Sequence, residues 1–241
     1  MVVKHKINAQ TFEDELTCNY EDLLGESWCK VDDIQTLIKS EYMTHLMHYI
    51  NQRRLKDTCT YPKERRDMFA AFREIEFKDV KVVILNDFPN DGHAANGIGF
   101  GEYKKPSSYN SVLKTVESLV NQLPISERNE TFDHTLLSWV EQGVLMLNTS
   151  LFVDWNKQIH KEMTEMFKHF TRSIIKAICN NSTNVLFVFT SDQQIDNFLK
   201  YIDINYHYYL ECTDGFTINS NILEQINESV VADLGEELIK W

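Results

Sequence analysis

Four short apolar runs in this 241-residue chain end in side chains able to do chemistry. Asn86 and Asp87 follow Val80–Leu85, and Asn148 and Thr149 follow Gly143–Leu147. Thr190, Ser191 and Asp192 follow Val185–Phe189, and Glu211 follows Tyr208–Leu210. An asparagine amide can donate and accept at once, whereas a carboxylate supplies negative charge and accepts only. Other chemistries find no support in the spacing. His93, His134 and His160 make no metal-ligand pattern with nearby carboxylates, so neither a catalytic metal nor a cofactor is expected. Cys18, Cys29, Cys59, Cys179 and Cys212 are scattered, odd in number and free of any CxxC pair. That argues against a zinc site or a disulfide framework and for a reducing compartment.

The elements that must hold these residues follow from hydrophobic spacing. The β-branched runs read as buried parallel strands. Helical stretches alternate with them near Tyr109–Asn121, His134–Glu141, Lys161–Cys179, Asp192–Tyr201 and Asn219–Ala232. Upstream, Ile34, Leu37, Ile38, Tyr42, Leu46 and Ile50 recur at three- and four-residue steps, predicting one helix from Val31 to Arg54. A second helix follows Pro62 and runs through Met68–Phe72. This alternation predicts an α/β fold, a parallel sheet with helices on both faces. Ligands of such sheets bind at the carboxyl ends of the strands, where the four polar clusters fall. The acidic stretch 1–24 reads as a loosely docked leader and 25–241 as a single domain. No apolar run is long enough to span a bilayer, and Met1–Gln10 lacks the apolar core of a signal peptide, so an intracellular protein without membrane contact is expected.

Charge narrows the partners. Lys and Arg number 24 against 36 Asp and Glu, a net charge of −12. Much of the affinity for DNA comes from neutralising phosphates, so this balance argues for weak DNA binding or for docking onto a basic protein face. Abundant Asn and Ile suggest an AT-rich genome and a viral source, with the host cell as its compartment.

The strand ends carry a resemblance. Asp79–Leu85 followed by Asn86-Asp87-Phe88-Pro89-Asn90-Asp91 is similar to the strand and water-activating loop of uracil-DNA glycosylases. Gly97-Ile98-Gly99-Phe100 is similar to the segment behind that loop, and Trp139–Thr149 closely matches the block Trp-Ala-x-Gln-Gly-Val-Leu-Leu-Leu-Asn-Thr. Shorter echoes are Tyr61-Pro62, Phe69–Phe72, Pro106–Ser108, His160-Lys161, Phe170-Thr171 and Ile239–Trp241, so the likeness runs from Trp28 to Trp241. It implies a three-layer sandwich around a central four-stranded parallel sheet, and excision of a flipped-out uracil. On that reading Asn148 reads the base edge, Phe100 stacks on the base, Asn86 lies beside it, and the Asp87 carboxylate stabilises charge on the sugar and positions water. Each has a plainer reading as well: Asn148 as a strand-end cap, Asp87 as a turn former, Phe100 as core. Ser107 and Ser108 read as phosphate contacts or helix caps, and His160 as a DNA contact or a surface histidine. Phe216 reads as a wedge or a packed aromatic.

Departures from the pattern set the expectation for activity. Glu211-Cys212-Thr213-Asp214-Gly215-Phe216 holds no histidine where the family stabilises the leaving base. Pro89 takes the place of the tyrosine that blocks a 5-methyl group, and Thr190-Ser191-Asp192 replaces Trp-Gly-Lys. The leading expectation is a glycosylase fold with excision lost or strongly weakened, binding a protein of replication or repair. The alternative is an active glycosylase on uracil or a 5-modified pyrimidine. A third is an acidic DNA mimic that occupies a basic DNA-binding protein.

Overall fold

β-branched and aromatic side chains fill the pleated strands that organise the chain. In the computed structural model, which describes residues 19–55, 60–62, 64–89, 95–103, 111–154, 157–217 and 219–241, the strands are β1 (Thr60–Tyr61), β2 (Val82–Asn86), β3 (Val144–Asn148), β4 (Val153–Asp154), β5 (Leu186–Phe189) and β6 (Tyr208–Glu211). Four of them form one parallel sheet in the order β3-β2-β5-β6, with helices on both sides. β2, β3 and β5 are buried along almost their whole length, as continuous apolar runs require. β6 is the exposed edge, with Tyr208 and Tyr209 partly in solvent. β1 and β4 make a separate antiparallel pair.

The helices are α1 (Tyr20–Leu24), α2 (Glu26–Cys29), α3 (Asp32–Ile38), α4 (Glu41–Leu55), α5 (Ala70–Arg73), α6 (Ser111–Gln122), α7 (Leu137–Val140), α8 (Lys157–Asn181), α9 (Asp192–Phe198) and α10 (Ile222–Ala232). The long α8 buries Met163, Phe167, Phe170, Ile174 and Ile178, a three- and four-residue stripe, and packs against α3. No helix among the described residues is long and apolar enough to cross a membrane.

Three boundaries differ from those the spacing predicts. The single helix over Val31–Arg54 is two, α3 and α4, because Ser40 interrupts it. The Ser40 hydroxyl donates to Leu37 O at 2.6 Å and accepts from Met43 N at 3.2 Å, ending one helix and capping the next without breaking the apolar stripe. The helix predicted over His134–Glu141 shrinks to α7, since Asp133 takes the Thr135 and Ser138 backbone N–H groups into a turn at 2.9 Å each. Of the stretch read as a leader, residues 1–18 lie outside the described residues; Leu23 and Leu24 of α1 are buried.

Both ends of the described chain are tied into the core. Trp28 donates its Nε1 to Ile75 O at 2.9 Å and meets Phe72 and Phe77 edge to face. Trp241 lies edge to face with Trp139 at 4.9 Å, while its backbone N donates to Glu127 O at 3.0 Å. The Asn227 amide clamps the same tail, donating to Ile239 O at 3.1 Å and accepting from Ile239 N at 3.0 Å. Replacing a fully buried aromatic by alanine costs about 3–5 kcal/mol. Trp241→Ala therefore lowers the urea-unfolding free energy by about that amount, and a loss below about 1 kcal/mol contradicts this packing.

Candidate active site at the ends of β2 and β3

Parallel pairing in register brings Asn86 and Asn148 side by side at the carboxyl ends of their strands. The Asn86 Nδ2 donates to Asn148 Oδ1 at 2.8 Å and also to Phe88 O. Asn148 is buried and turns its own Nδ2 to Gly97 O at 3.3 Å. These bonds fix which end of the Asn148 amide points where. An amide has two N–H donors and two acceptor lone pairs, so Asn148 keeps one of each. Among the described residues no further hydrogen bond takes either one.

The Gly97–Phe100 segment is pressed against this corner. Gly97 has φ +84°, and a Cβ there would fall 1.5 Å from Asp67 O, so no other residue fits without moving the chain. Gly99 N donates to Met146 O at 3.0 Å, fastening the segment to β3. Phe100 follows with φ +64°, a left-handed conformation that a bulky residue holds only at a cost of order 1–3 kcal/mol. Its ring packs edge to face on Phe216 at 4.9 Å, and both are buried. Phe216 is thus a packed aromatic, and its partner is the ring expected to stack on a base.

Asp87 points elsewhere. Its Oδ1 accepts from Gln194 Nε2 at 2.8 Å and from Ser191 Oγ at 3.5 Å. Gln194 is itself buried and accepts from Thr190 N at 2.8 Å, while Thr190 Oγ1 donates to Leu85 O at 2.8 Å. The Asp87 backbone oxygen accepts from Ser150 N and Thr149 Oγ1, both at 3.1 Å. Asp87 and Phe88 line a small cleft with Thr149, Thr164, Lys168 and Gln193. The structure therefore joins Asn86 to Asn148 and Phe100 to Phe216, and holds the Asp87 carboxylate on the β5 side, without a hydrogen bond to Asn148.

The remaining expected residues are placed as follows. Ser107 and Ser108 lie outside the described residues, and His160 falls within α8, its side chain undescribed. Asp192 opens α9, Glu211 ends β6 and Asp214 lies just past it, the last two exposed. His207, which is not among the expected site residues, is buried before β6, where its Nδ1 accepts from Val185 N at 3.4 Å. Among the described residues no cluster of three His, Cys, Asp or Glu is arranged to hold a metal ion. Spacing alone did not single out Gln194. Its signal is Ser191-x-x-Gln194, a capping-box spacing, in which Ser191 Oγ accepts from Gln194 N at 3.4 Å.

Comparison with known proteins returns one family. The chain is 32% identical over 217 residues to the uracil-DNA glycosylase of Vibrio campbellii, covering 84% of this chain and 91% of that one. It is 33% identical over 185 residues to the uracil-DNA glycosylase of Aliarcobacter butzleri, covering 74% and 81%. Among solved structures, the mimivirus uracil-DNA glycosylase superposes with a TM-score of 0.76 at 17% identity, over 100% of this chain and 95% of that one. A variant of mimivirus UNG with one tyrosine replaced by leucine, in complex with UGI, gives 0.77 at 17% identity, over 96% and 93%. No protein-family model matches the chain. With about a third of its residues shared with bacterial relatives along most of its length, the chain belongs to the uracil-DNA glycosylase family.

Proposed function

We propose that this protein hydrolyses the N-glycosidic bond of uracil, or of a 5-substituted uracil, in DNA, and does so slowly. The observation that carries this reading is the Asn148 amide, oriented by Asn86 and Gly97 with one acceptor and one N–H left over. Uracil offers N3–H and O4 along its pairing edge, the complement of that pair. A cytosine presents the opposite pattern at the same atoms, so a fixed amide discriminates between them. Pro89 in place of a bulky aromatic gate is the feature that admits a 5-substituent.

Departure of the base builds positive charge on the sugar and negative charge on the ring. Asp87, held by Gln194 and Ser191, is the group we assign to the first charge and to the attacking water. For the second charge, residues 211–216 supply no imidazole, and the carboxylates of Glu211 and Asp214 oppose an anion nearby. Loss of one transition-state donor costs roughly a hundred- to a thousandfold in kcat, which leaves measurable turnover.

A second reading has its own observation. Phe216 packs edge to face with Phe100, the ring expected to stack on a base, at 4.9 Å between centroids. With Asp87 turned away from Asn148, that packing favours a scaffold that binds DNA or a protein of replication or repair without excision. The relatives' names favour the first reading.

Excision from single-stranded oligonucleotides carrying uracil or 5-substituted uracil separates the two. Free base is expected from wild type, with Asp87→Asn slower by about 10²–10³-fold. No product at stoichiometric protein over hours removes the enzyme reading, and equal rates in both proteins remove the assignment of Asp87. Gln194 acts through Asp87, so Gln194→Leu is expected to lower kcat about ten- to a hundredfold while leaving KM within about twofold. A change confined to KM contradicts that assignment.

A further inference from the structure

Lys168, Arg172 and Lys176 recur every four residues on α8, and so share one face over about 12 Å of helix axis. Lys168 lines the cleft that contains Asp87. One and two turns further on, Arg172 and Lys176 meet Lys200, from the 3-10 turn Leu199–Tyr201, around the ring of Tyr201. The Arg172 guanidinium carbon lies 5.5 Å from the ring centroid, and the ammonium nitrogens of Lys176 and Lys200 lie 5.1 and 5.4 Å from it.

Three cations around one ring repel one another, and cation–π attraction of about 0.5–1 kcal/mol each at an exposed site does little to offset that. Among the described residues none of the three has a carboxylate within ion-pair distance. Asp196, four residues before Lys200, is exposed and makes no ion pair with it, and three other acids are engaged elsewhere. Glu165 pairs with Lys168 at 2.6 Å, Asp203 accepts from Asn205, and Asp33 accepts from Asn181 at 2.9 Å. This happens in a chain where acids outnumber bases 36 to 24, so a carboxylate partner was the easier arrangement. The field of the cluster reaches its neighbours. Burial, then the charges of Arg172 and Lys176, hold the His169 imidazole below its ordinary value, so that its Nδ1 accepts from Arg172. The Tyr201 phenol is lowered too, first by its hydrogen bond from Arg172.

We propose that Arg172, Lys176 and Lys200, gathered around Tyr201, bind the phosphodiester backbone of a DNA strand that runs down the flank of the molecule from the Asp87 cleft. Arg172 is locked by Tyr201 and His169, which leaves the exposed Lys176 and Lys200 as mobile donors to phosphate oxygens. The choice of DNA over another polyanion rests on the function proposed above and on the continuity of the stripe through Lys168. A −12 protein with one such stripe has a means of orienting a strand that its net charge would otherwise repel.

The test is fluorescence anisotropy with a labelled deoxycytidine 15-mer, free of uracil and thymine, titrated between 50 and 200 mM NaCl. Its outcome is independent of excision, because nothing in the probe can be cleaved. Each phosphate contact on a single strand contributes about 0.7 to the slope of log affinity against log salt, so Lys176→Gln with Lys200→Gln lowers that slope by about 1.4 and weakens binding several-fold at 50 mM. Both lysines are exposed, so the fold persists. Lys30→Gln with Lys114→Gln makes the same change in net charge at exposed positions elsewhere and leaves the slope in place. An unchanged slope in the first variant, or an equal fall in the second, overturns the proposal. Displacement by polyglutamate as readily as by unlabelled oligonucleotide at equal charge overturns it too, in favour of an acidic protein partner.

Discussion

The register between β2 and β3 is the constraint on which the site depends. Five consecutive pairs, Val82 with Val144 through Asn86 with Asn148, bring the strands to an end together. A slip of one residue would turn every side chain to the opposite face and separate the two amides. The apolar pairs fix the register by burial, and the polar pair at the end uses it. Asn86 then orients Asn148, and the glycines of Gly97–Gly99 let a second segment approach closely enough to finish the corner.

Around that corner the chain divides its polar groups between two sides. Toward Gly97 lie the amide pair and the Phe100–Phe216 rings. Toward β5 lies Asp87, held through Gln194 by the capped start of α9. The Asn148 amide and the Asp87 carboxylate are thereby held by different supports. Phe216 and Phe100 pack edge to face beside this corner. Phe216 follows Gly215, whose φ of +58° places it in a left-handed turn just past β6. The strained φ of Phe100 and the turn of Gly215 thus meet at one aromatic contact.

Much of this was legible in the residues. The runs Val80–Leu85, Gly143–Leu147 and Val185–Phe189 gave three strands to within two residues, since buried parallel strands need unbroken apolar sequence. The block Trp139–Thr149 located Asn148. What escaped was tertiary or polar in origin. Ser40 divides a helix while leaving its apolar stripe intact, so hydrophobic spacing alone runs through it. Asn86 belongs to the strand rather than to the loop, because its side chain has a partner across the sheet that no local pattern reveals. The bond from Gln194 to Asp87 spans more than a hundred residues, and only the capping spacing hinted that Gln194 is more than a surface amide. Phe216 reads from the sequence as a packed aromatic before a wedge, and its contact with Phe100 gives that packing a partner.

The central claim is that the Asn148 amide receives a uracil edge. It is tested most directly by titrating uniformly 15N-labelled protein with a single-stranded oligonucleotide carrying one non-hydrolysable uracil nucleotide, and following the side-chain NH2 signals of Asn86 and Asn148. Assignment comes from Asn86→Asp and Asn148→Asp. The account predicts that both pairs shift with the uracil strand and stay in place with a matched thymidine-free strand carrying cytosine instead. Signals that remain fixed while the strand binds elsewhere on the protein would contradict it.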